Sequence, residues 1–231
     1  MILYVNGDGH VAASEAVVPY CVAEDDPKYF YMGRVAHPDN IKRSFGNILS
    51  TTLKAKFITD AEHSSSNVRI VRTTKEFIEQ DCNDQVVVLI GWSNWDRVEW
   101  HHAKQWWQIS LEGFQSEWPN EFRSRYKNWV DGISFDSVMN EQHDLIWDFH
   151  CWLNERKVDH LFFNTFEPLV VDTPRDWGGH YLDPYDPDST YFNWLGTSGF
   201  QTVNDHSYHY GANAHQAWAN HLLPHLTKKF S

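Results

Sequence analysis

The sequence predicts a three-layer α/β/α sandwich around a mostly parallel sheet. Short apolar runs alternate with amphipathic helical segments along the chain, and this alternation is typical of parallel sheets with helices on both faces. The clearest run is apolar at every position, as expected for a strand that helices cover on both sides. We expect one domain over residues 1–231, with insertions at about 96–115 and 165–205.

Four strands follow from short apolar runs that end at turn-forming or polar residues. They are predicted at Ile2–Val5, Lys56–Thr59, Val86–Ile90 and His160–Phe163. The first insertion is rich in Trp and His and could contain a hairpin around residues 106–109. The second insertion is long and rich in Pro, Asp and aromatic residues, and loops of this length in compact domains are usually functional.

Helices are predicted where apolar residues recur at spacings of three and four. They cover about 12–21, 41–53, 70–78, 121–130, 136–156 and 213–223. The first of them would start directly behind the turn that follows the first strand. Asn40 can cap the second helix, and Pro224 should disturb the end of the last one.

The composition excludes several classes of function. The chain has 231 residues, of which 42% are hydrophobic, and a formal net charge of -12. Such an acidic chain lacks the basic surface that nucleic acids or anionic membranes require. The three cysteines Cys21, Cys82 and Cys151 form no C-x-x-C motif, so we expect neither a disulfide framework nor a cysteine zinc site. We expect no signal peptide and no membrane span.

Polar segments follow three of the predicted strands, and a fourth precedes the last helix. They are Gly7-Asp8-Gly9-His10, Ser64-Ser65-Ser66-Asn67, Gly91-Trp92-Ser93-Asn94 and Asp205-His206-Ser207-Tyr208-His209. The carboxyl ends of parallel strands meet at one edge of a sheet, and ligands bind there. The sequence therefore predicts a site at this edge.

This order of segments resembles the SGNH/GDSL hydrolase superfamily over about residues 2–223. Such enzymes have a Gly-Asp-Ser turn after the first strand, polar loops after the next two strands and an Asp-x-x-His motif before the last helix. Within the superfamily the chain is most similar to uncharacterised proteins of tailed, especially marine, phages. The segments that carry this similarity are the helix start Ser66-Asn67-Val-Arg-Ile-Val-Arg-Thr-Thr74 and the strand end Ile90-Gly-Trp-Ser-Asn-Trp-Asp-Arg-Val-Glu-Trp100.

The resemblance implies a flavodoxin-like sheet and a serine esterase site. In the family, serine attacks an ester, histidine takes its proton and aspartate orients the histidine. His209 would be the base and Asp205 the aspartate, although the Asp-x-x-x-His spacing is one residue longer than in the family and leaves the carboxylate open. Asp8 precedes the nucleophile position. The oxyanion and ligand groups would come from His10, Ser65, Ser66, Asn67, Trp92, Ser93 and Asn94.

The nucleophile position is occupied by Gly9, which has no side chain. Loss of a triad nucleophile costs on the order of a millionfold in rate. Three explanations are open. The protein could be a pseudoenzyme that keeps the pocket for binding. Asp8, Ser14 or a serine of the second loop could supply the nucleophile or activate water. Gly9 could also be an engineered replacement.

Two functions are therefore expected as alternatives. One is an atypical ester hydrolase for carbohydrate or lipid esters, of carboxylic ester or deacetylase type. The other is a non-catalytic structural or glycan-binding phage protein that self-associates or binds virion partners. Either would be made in the host cytoplasm, and a virion component would have the same features. We expect a small-molecule or glycan ester as ligand, and neither nucleic acid nor membrane as partner.

Other features have simpler interpretations. The histidines His206, His209 and His215, with His101 and His102, could bind zinc, but His215 falls in the last helix, where packing explains it better. We expect no metal and no cofactor. Asp183, Asp186 and Asp188 fit a solvated turn better than a calcium loop. The tryptophans Trp92, Trp95, Trp100, Trp106 and Trp107 could stack on sugars, and packing is the alternative. Arg69 and Arg72 could bind an anion or pair with acidic side chains.

Overall fold

The computed structural model describes residues 1–23, 30–80 and 84–229. Its strands are β1 (Ile2–Gly7), β2 (Lys56–Thr59), β3 (Val86–Trp92), β4 (Arg97–His102), β5 (Gln105–Ser110) and β6 (Asp159–Asn164). Its helices are α1 (Pro38–Ile41), α2 (Phe45–Leu53), α3 (Asn67–Ile78), α4 (Phe122–Gly132), α5 (Phe135–Glu155), α6 (Tyr191–Thr197) and α7 (Ala212–Thr227).

The central sheet has four parallel strands in the order β2-β1-β3-β6. Leu3 pairs with Phe57 of β2 on one side and with Val87 of β3 on the other. The chain winds outward in both directions from β1 and β3, which is the flavodoxin-like order. The four predicted strands are all present, and the sheet changes winding direction at the carboxyl ends of β1 and β3.

Two separate apolar layers cover the sheet. Side chains alternate along each strand, so Leu3 and Val5 face α2, α6 and α7, whereas Ile2 and Tyr4 face α3 and α5. Both sets are almost completely buried. The predicted three-layer α/β/α sandwich is confirmed.

The largest departure from the predicted elements follows β1. The segment predicted as a helix over 12–21 forms consecutive turns instead, and the next helix in the described chain is α1. Asn40 is not the N-cap that the sequence predicts, because it lies within α1. Its amide is buried and holds the turn segment by hydrogen bonds with the backbone of Val17, Val18 and Tyr20. Ser44, not Asn40, is the N-cap of α2, and its side chain accepts a hydrogen bond from the backbone N–H of Asn47.

The last helix also differs from its prediction, since α7 continues past Pro224 to Thr227. Leu222 and Leu226 on either side of Pro224 are fully buried in the same apolar layer. Their burial compensates for the backbone hydrogen bond that proline cannot donate.

The first insertion contains the hairpin β4–β5, joined by Ala103 and Lys104. Both residues have positive φ, at 49° and 68°, as in the type I′ turns that suit the twist of a two-residue hairpin. Trp100 of β4 is buried with Trp118 and Phe122 in a small apolar cluster. Trp100 therefore serves packing, and Trp107 is partly buried against the same cluster, whereas Trp106 stays partly exposed.

His160 at the start of β6 and His150 of α5 form a buried hydrogen-bonded chain. His160 Nδ1 lies 2.9 Å from the Val158 carbonyl, so that nitrogen carries the proton. His160 Nε2 then accepts from His150 Nδ1 at 2.8 Å, and Asn154 donates to His150 Nε2 at 2.9 Å. Burial lowers the pKa of His160 to about 3 and that of His150 to about 4. Both rings are neutral in the folded protein at neutral pH.

These histidines predict acid sensitivity. Below the ordinary histidine pKa of 6.5 the unfolded chain binds protons that the folded chain cannot, so stability falls as the pH drops from about 6.5 towards 4. Each such histidine contributes a slope of roughly 1.4 kcal/mol per pH unit in this window. Urea unfolding from pH 7.5 to 4.5 measures the slope. His160→Leu should reduce it by about that amount, and the exposed His101→Leu should leave it unchanged. Equal slopes in all three proteins would contradict the prediction.

The described chain contains no helix that is both long enough and apolar enough to cross a membrane. Cys21 and Cys151 are free thiols, and Cys82 lies outside the described residues. The acidic run Glu24–Asp26 of the sequence also lies outside them.

Candidate active site

A cavity of about 580 Å³ opens at the carboxyl edge of the sheet, where the sequence predicts a site. The loop after β1 supplies its floor through Asp8, Gly9 and His10. The loop after β2 adds His63 and Ser64, and the loop after β3 adds Asn94. The segment before α7 brings Tyr208 and His209, and the β4–β5 hairpin contributes another wall, which includes Gln108 and Ser110.

Three polar side-chain atoms lie close to the position where a side chain of residue 9 would begin. A Cβ atom built on Gly9 would lie 2.7 Å from His209 Nε2, 2.9 Å from His63 Nδ1 and 3.2 Å from Ser14 Oγ. His209 is thus within hydrogen-bond reach of the position that a nucleophile would occupy. The two imidazole rings also contact each other, with centroids 5.5 Å apart.

His209 is oriented by Glu15. His209 Nδ1 donates to Glu15 Oε2 over 2.7 Å, so Nε2 carries the lone pair that faces Gly9. Ser207 also donates to Glu15 Oε2, at 2.6 Å, and its hydroxyl accepts from the backbone N–H of His209. Mainly because of the hydrogen bond from His209, the pKa of Glu15 is lowered. An ionised carboxylate therefore fixes the tautomer and direction of the imidazole.

The backbone that presents Glu15 is strained. Ala13 has φ 54° and Glu15 has φ 61°, in the left-handed region that non-glycine residues rarely adopt. Such residues cost of order 1–3 kcal/mol each and cluster at functional sites. The turns that form in place of the predicted helix therefore bring the Glu15 carboxylate to His209 Nδ1.

Two further histidines beside the base are neutral. Burial lowers the pKa of His63 to about 3 and lowers that of His10 well below its ordinary value, with smaller effects from His209 and Arg97. His10 packs among aromatic rings that include Phe166 and Tyr191. The cavity floor thus contains neutral imidazoles that can donate or accept hydrogen bonds without adding charge.

Asp8 is buried at the other side of Gly9. Its Oδ2 accepts from Thr165 at 3.2 Å and lies 3.5 Å from Arg97 Nη1, and its Oδ1 accepts from the backbone of His10. Burial raises the pKa of Asp8, and Arg97 partly opposes this shift. Arg97 also donates to Ser93 Oγ at 3.1 Å. Asp8 therefore holds Arg97 and the first loop in place.

A buried ion network fixes the loop that carries His63. The side chain of Glu62 is fully buried and accepts from the backbone N–H groups of Gly33 and Arg34. Arg69 Nη2 lies 2.7 Å from Glu62 Oε2, and Arg34 Nε lies 3.5 Å from its Oε1. Arg69 thus pairs with an acidic side chain, and Arg72 does the same with Glu99.

Five of the predicted site residues line the cavity, namely Asp8, Gly9, His10, Asn94 and His209. Asp205 requires a correction, because it is exposed while Glu15 occupies the position on His209 Nδ1. The extra residue in the Asp-x-x-x-His spacing is consistent with this displacement.

The remaining predicted residues have structural roles. Ser66 caps α3 and Ser65 Oγ accepts from Arg69. Asn67 clamps the backbone N–H and carbonyl of Ser93. Trp92 packs beneath the sheet against Phe149 and Phe162. These residues support the loops around the cavity and do not line it, which corrects their predicted binding roles.

Three site residues were not predicted, namely Glu15, His63 and Arg97. His63 stands directly before the Ser-rich loop that follows the second strand. This position next to a loop at a strand end is the feature of the sequence that could have identified it as a site residue. Glu15 lies 194 residues from His209 in sequence, and only the turn geometry brings them together. No local pattern in the sequence indicates that contact.

One group of side chains at the site has metal-ligand chemistry. Ligand atoms of Glu15, Cys21 and His209 all lie within 4.8 Å of one another. Burial raises the pKa of Cys21 to about 11, so its thiol is protonated and is a poor nucleophile. The predicted zinc alternative is not formed here, because His206 is exposed and His215 is buried against Phe45.

The fold and the site define a flavodoxin-like three-layer α/β protein with a carboxylate-oriented histidine at the carboxyl edge of its sheet. The chain belongs to the family of unknown function DUF6071, whose model matches residues 34–207. A search of curated proteins found no match.

The solved structures that are similar to this chain include esterases and a lipolytic protein. One is a putative lipolytic protein of the G-D-S-L family from Desulfitobacterium hafniense, with 8% identity, TM-score 0.46 and coverage of 97% of this chain and 98% of the other. The psychrotrophic esterase EstA from Pseudoalteromonas sp. has 9% identity, TM-score 0.48 and coverage of 99% and 97%. An acetyl xylan esterase from Butyrivibrio proteoclasticus has 10% identity, TM-score 0.49 and coverage of 98% and 63%. At these values we assign the fold from the strand order and layers of the chain itself.

Proposed function

We propose that this protein is an SGNH-type hydrolase variant that cleaves carbohydrate esters by direct attack of water. The supporting observation is the Glu15–His209 pair, whose free nitrogen lies 2.7 Å from the Cβ position of residue 9. In a serine enzyme that nitrogen would take the proton of the serine. Because Gly9 has no side chain that could supply a hydroxyl, a water molecule bound on the cavity side of His209 Nε2 takes the place of the serine hydroxyl.

The chemistry needs no covalent intermediate. His209 Nε2 takes a proton from water while the water oxygen bonds to the ester carbonyl carbon. The protonated imidazole then returns the proton to the departing alcohol oxygen as the carbon–oxygen bond breaks. Asn94 and Arg97 line the same cavity and offer N–H groups to the charge that develops on the carbonyl oxygen.

The lining favours a hydroxyl-rich substrate over a lipid. Amide, hydroxyl and carboxylate side chains form most of the far wall, among them Gln108, Ser110, Glu112 and Gln115. Such groups bind the hydroxyls of sugars in both donor and acceptor roles. Phe166 and Tyr208 provide an aromatic rim, with ring centroids 5.7 Å apart.

Covalent trapping tests the absence of a nucleophile. The native protein should hydrolyse acetylated sugars without a burst and should not be labelled by a fluorophosphonate. In Gly9→Ser the new Cβ atom would lie 2.7 Å from His209 Nε2 and 2.9 Å from His63 Nδ1, so both imidazole rings must shift slightly. The serine hydroxyl then lies beside His209, and this variant should be labelled at residue 9. Intact-protein and peptide mass spectrometry measure the label. Labelling of the native protein at Ser14, Ser64 or another residue would overturn the water mechanism.

A second candidate is a non-catalytic glycan-binding protein, which the missing nucleophile and the 66% exposed Tyr208 favour. The phage origin that the motifs suggest fits either candidate. Binding of an acetylated oligosaccharide by calorimetry, with no acetate released over hours, would support this function and exclude the hydrolase.

A further inference from the structure

We propose that Cys21, Glu15 and His209 Nδ1 form a binding site for a zinc-class divalent metal ion. One ligand atom from each residue lies within 4.8 Å of the other two, and Nδ1 is the His209 ring nitrogen that faces Glu15, 2.7 Å from its Oε2. Atoms that close are at most about 2.8 Å from a common point, and zinc bonds to sulfur, nitrogen and oxygen are about 2.0–2.3 Å long. A contraction of about half an ångström therefore brings all three onto one ion.

The ligands come from segments that are already fixed in place. Cys21 begins a short paired segment, since its carbonyl accepts from His37 and the next residue, Val22, forms an antiparallel bridge with Ala36. Glu15 is held by the strained turn and by Ser207. Because the site forms with little rearrangement of the backbone, most of the ordering cost of metal binding is already met by folding.

The donor set selects the metal. On binding, the metal ion displaces the thiol proton of Cys21, which is released to solvent. The resulting set of thiolate, imidazole and carboxylate suits zinc and its spectroscopic substitute cobalt, whereas magnesium and calcium prefer sites built from oxygen alone. Cys21 is buried while Glu15 and His209 are partly exposed. Three protein ligands leave one coordination position for water.

Metal binding has a defined consequence for the base. A neutral imidazole that ligates through Nδ1 carries its proton on Nε2. His209 Nε2 could then no longer accept a proton from water above Gly9. Zinc therefore inhibits hydrolysis, and this consequence rests on the proposed function, whereas metal binding itself does not.

Cobalt titration tests the site independently of activity. The native protein with reduced thiols should bind one Co²⁺ and show the near-ultraviolet thiolate-to-cobalt band together with visible bands of tetrahedral cobalt. Cys21→Ser should abolish the thiolate band and weaken binding at least tenfold. Cys151→Ser, which changes a half-exposed thiol outside the site, should retain both. Circular dichroism would establish that each variant is folded.

The possible outcomes decide separately on the metal site and on its regulatory role. Loss of the band in Cys21→Ser alone supports the site. Absence of the band in the native protein, or its persistence in Cys21→Ser, overturns the site. If the native protein hydrolyses esters, micromolar Zn²⁺ should inhibit it and Cys21→Ser should keep its basal rate but resist Zn²⁺. Equal inhibition of both proteins would overturn the regulatory role even if cobalt binds.

Discussion

Replacement of His209 by alanine should lower kcat/KM for ester hydrolysis by roughly 10²–10⁴-fold, the usual contribution of a general base. His209 Nε2 faces Gly9, and the other ring nitrogen of His209 donates to the carboxylate of Glu15. The measurement is release of acetate from an acetylated sugar. His206→Ala is the matched control, because His206 is exposed three residues away, and its rate should stay within about twofold of native.

The orienting carboxylate can be identified in the same assay. Glu15→Gln keeps the size of the side chain but removes the charge that holds the imidazole tautomer, so we expect a loss of at least tenfold in kcat. Asp205→Asn should change kcat by less than about twofold, because Asp205 is exposed and Glu15 occupies the hydrogen-bonding position on His209 Nδ1. The reverse ranking of these two variants would restore Asp205 as the orienting carboxylate, which the resemblance to the family motif implied despite its longer spacing.

Replacement of Glu62 by alanine should lower the free energy of unfolding by about 3–5 kcal/mol, as expected when one partner of a buried ion pair is removed. The fully buried Glu62 accepts from two backbone N–H groups and contacts Arg34 and Arg69. Since small proteins are stable by only about 5–15 kcal/mol, the variant should unfold at a much lower urea concentration. Urea unfolding at low temperature measures the change.

Glu76→Ala is the control for this prediction. Glu76 pairs with Arg72 at 3.3 Å, but its side chain is 60% exposed, and surface pairs contribute roughly 0–1 kcal/mol. A loss below about 1 kcal/mol in Glu62→Ala, equal to that of Glu76→Ala, would show that the buried network is dispensable.

The strands were predictable because their pattern is local. Val86 to Ile90 is apolar at every position and lies in the middle of the sheet. The segment after β1 was not predictable by the same means, because small apolar residues such as Ala12 and Ala13 fit both a helix and a buried turn. The long-range hydrogen bonds of Asn40 decide between them, and no local window contains that information.

The sequence predicted that the site lies at the carboxyl edge of the sheet and that His209 is its base. It did not predict the network of hydrogen bonds around His209. His209 follows from the motif before the last helix, and Gly9 from the turn after β1. Trp92 was misplaced because β3 continues two residues further than predicted, and strand alternation then directs its ring into the α3 and α5 layer. Glu15 depends on a left-handed turn formed by residues without glycine, which sequence patterns do not indicate.

The absence of a helix directly behind β1 has an electrostatic consequence. In doubly wound folds such a helix points its partial positive end at bound ligands, but the described residues between β1 and α1 contain no helix. Among the described residues that line the cavity, Arg97 is the sole arginine or lysine, against the carboxyl groups of Asp8, Asp96 and Glu112. Even with Asp8 set against Arg97, the carboxyl groups of Asp96 and Glu112 leave an acidic excess in the cavity. If the proposed hydrolysis occurs, we therefore expect neutral acyl esters to be preferred over succinyl, sulfated and phosphorylated ones.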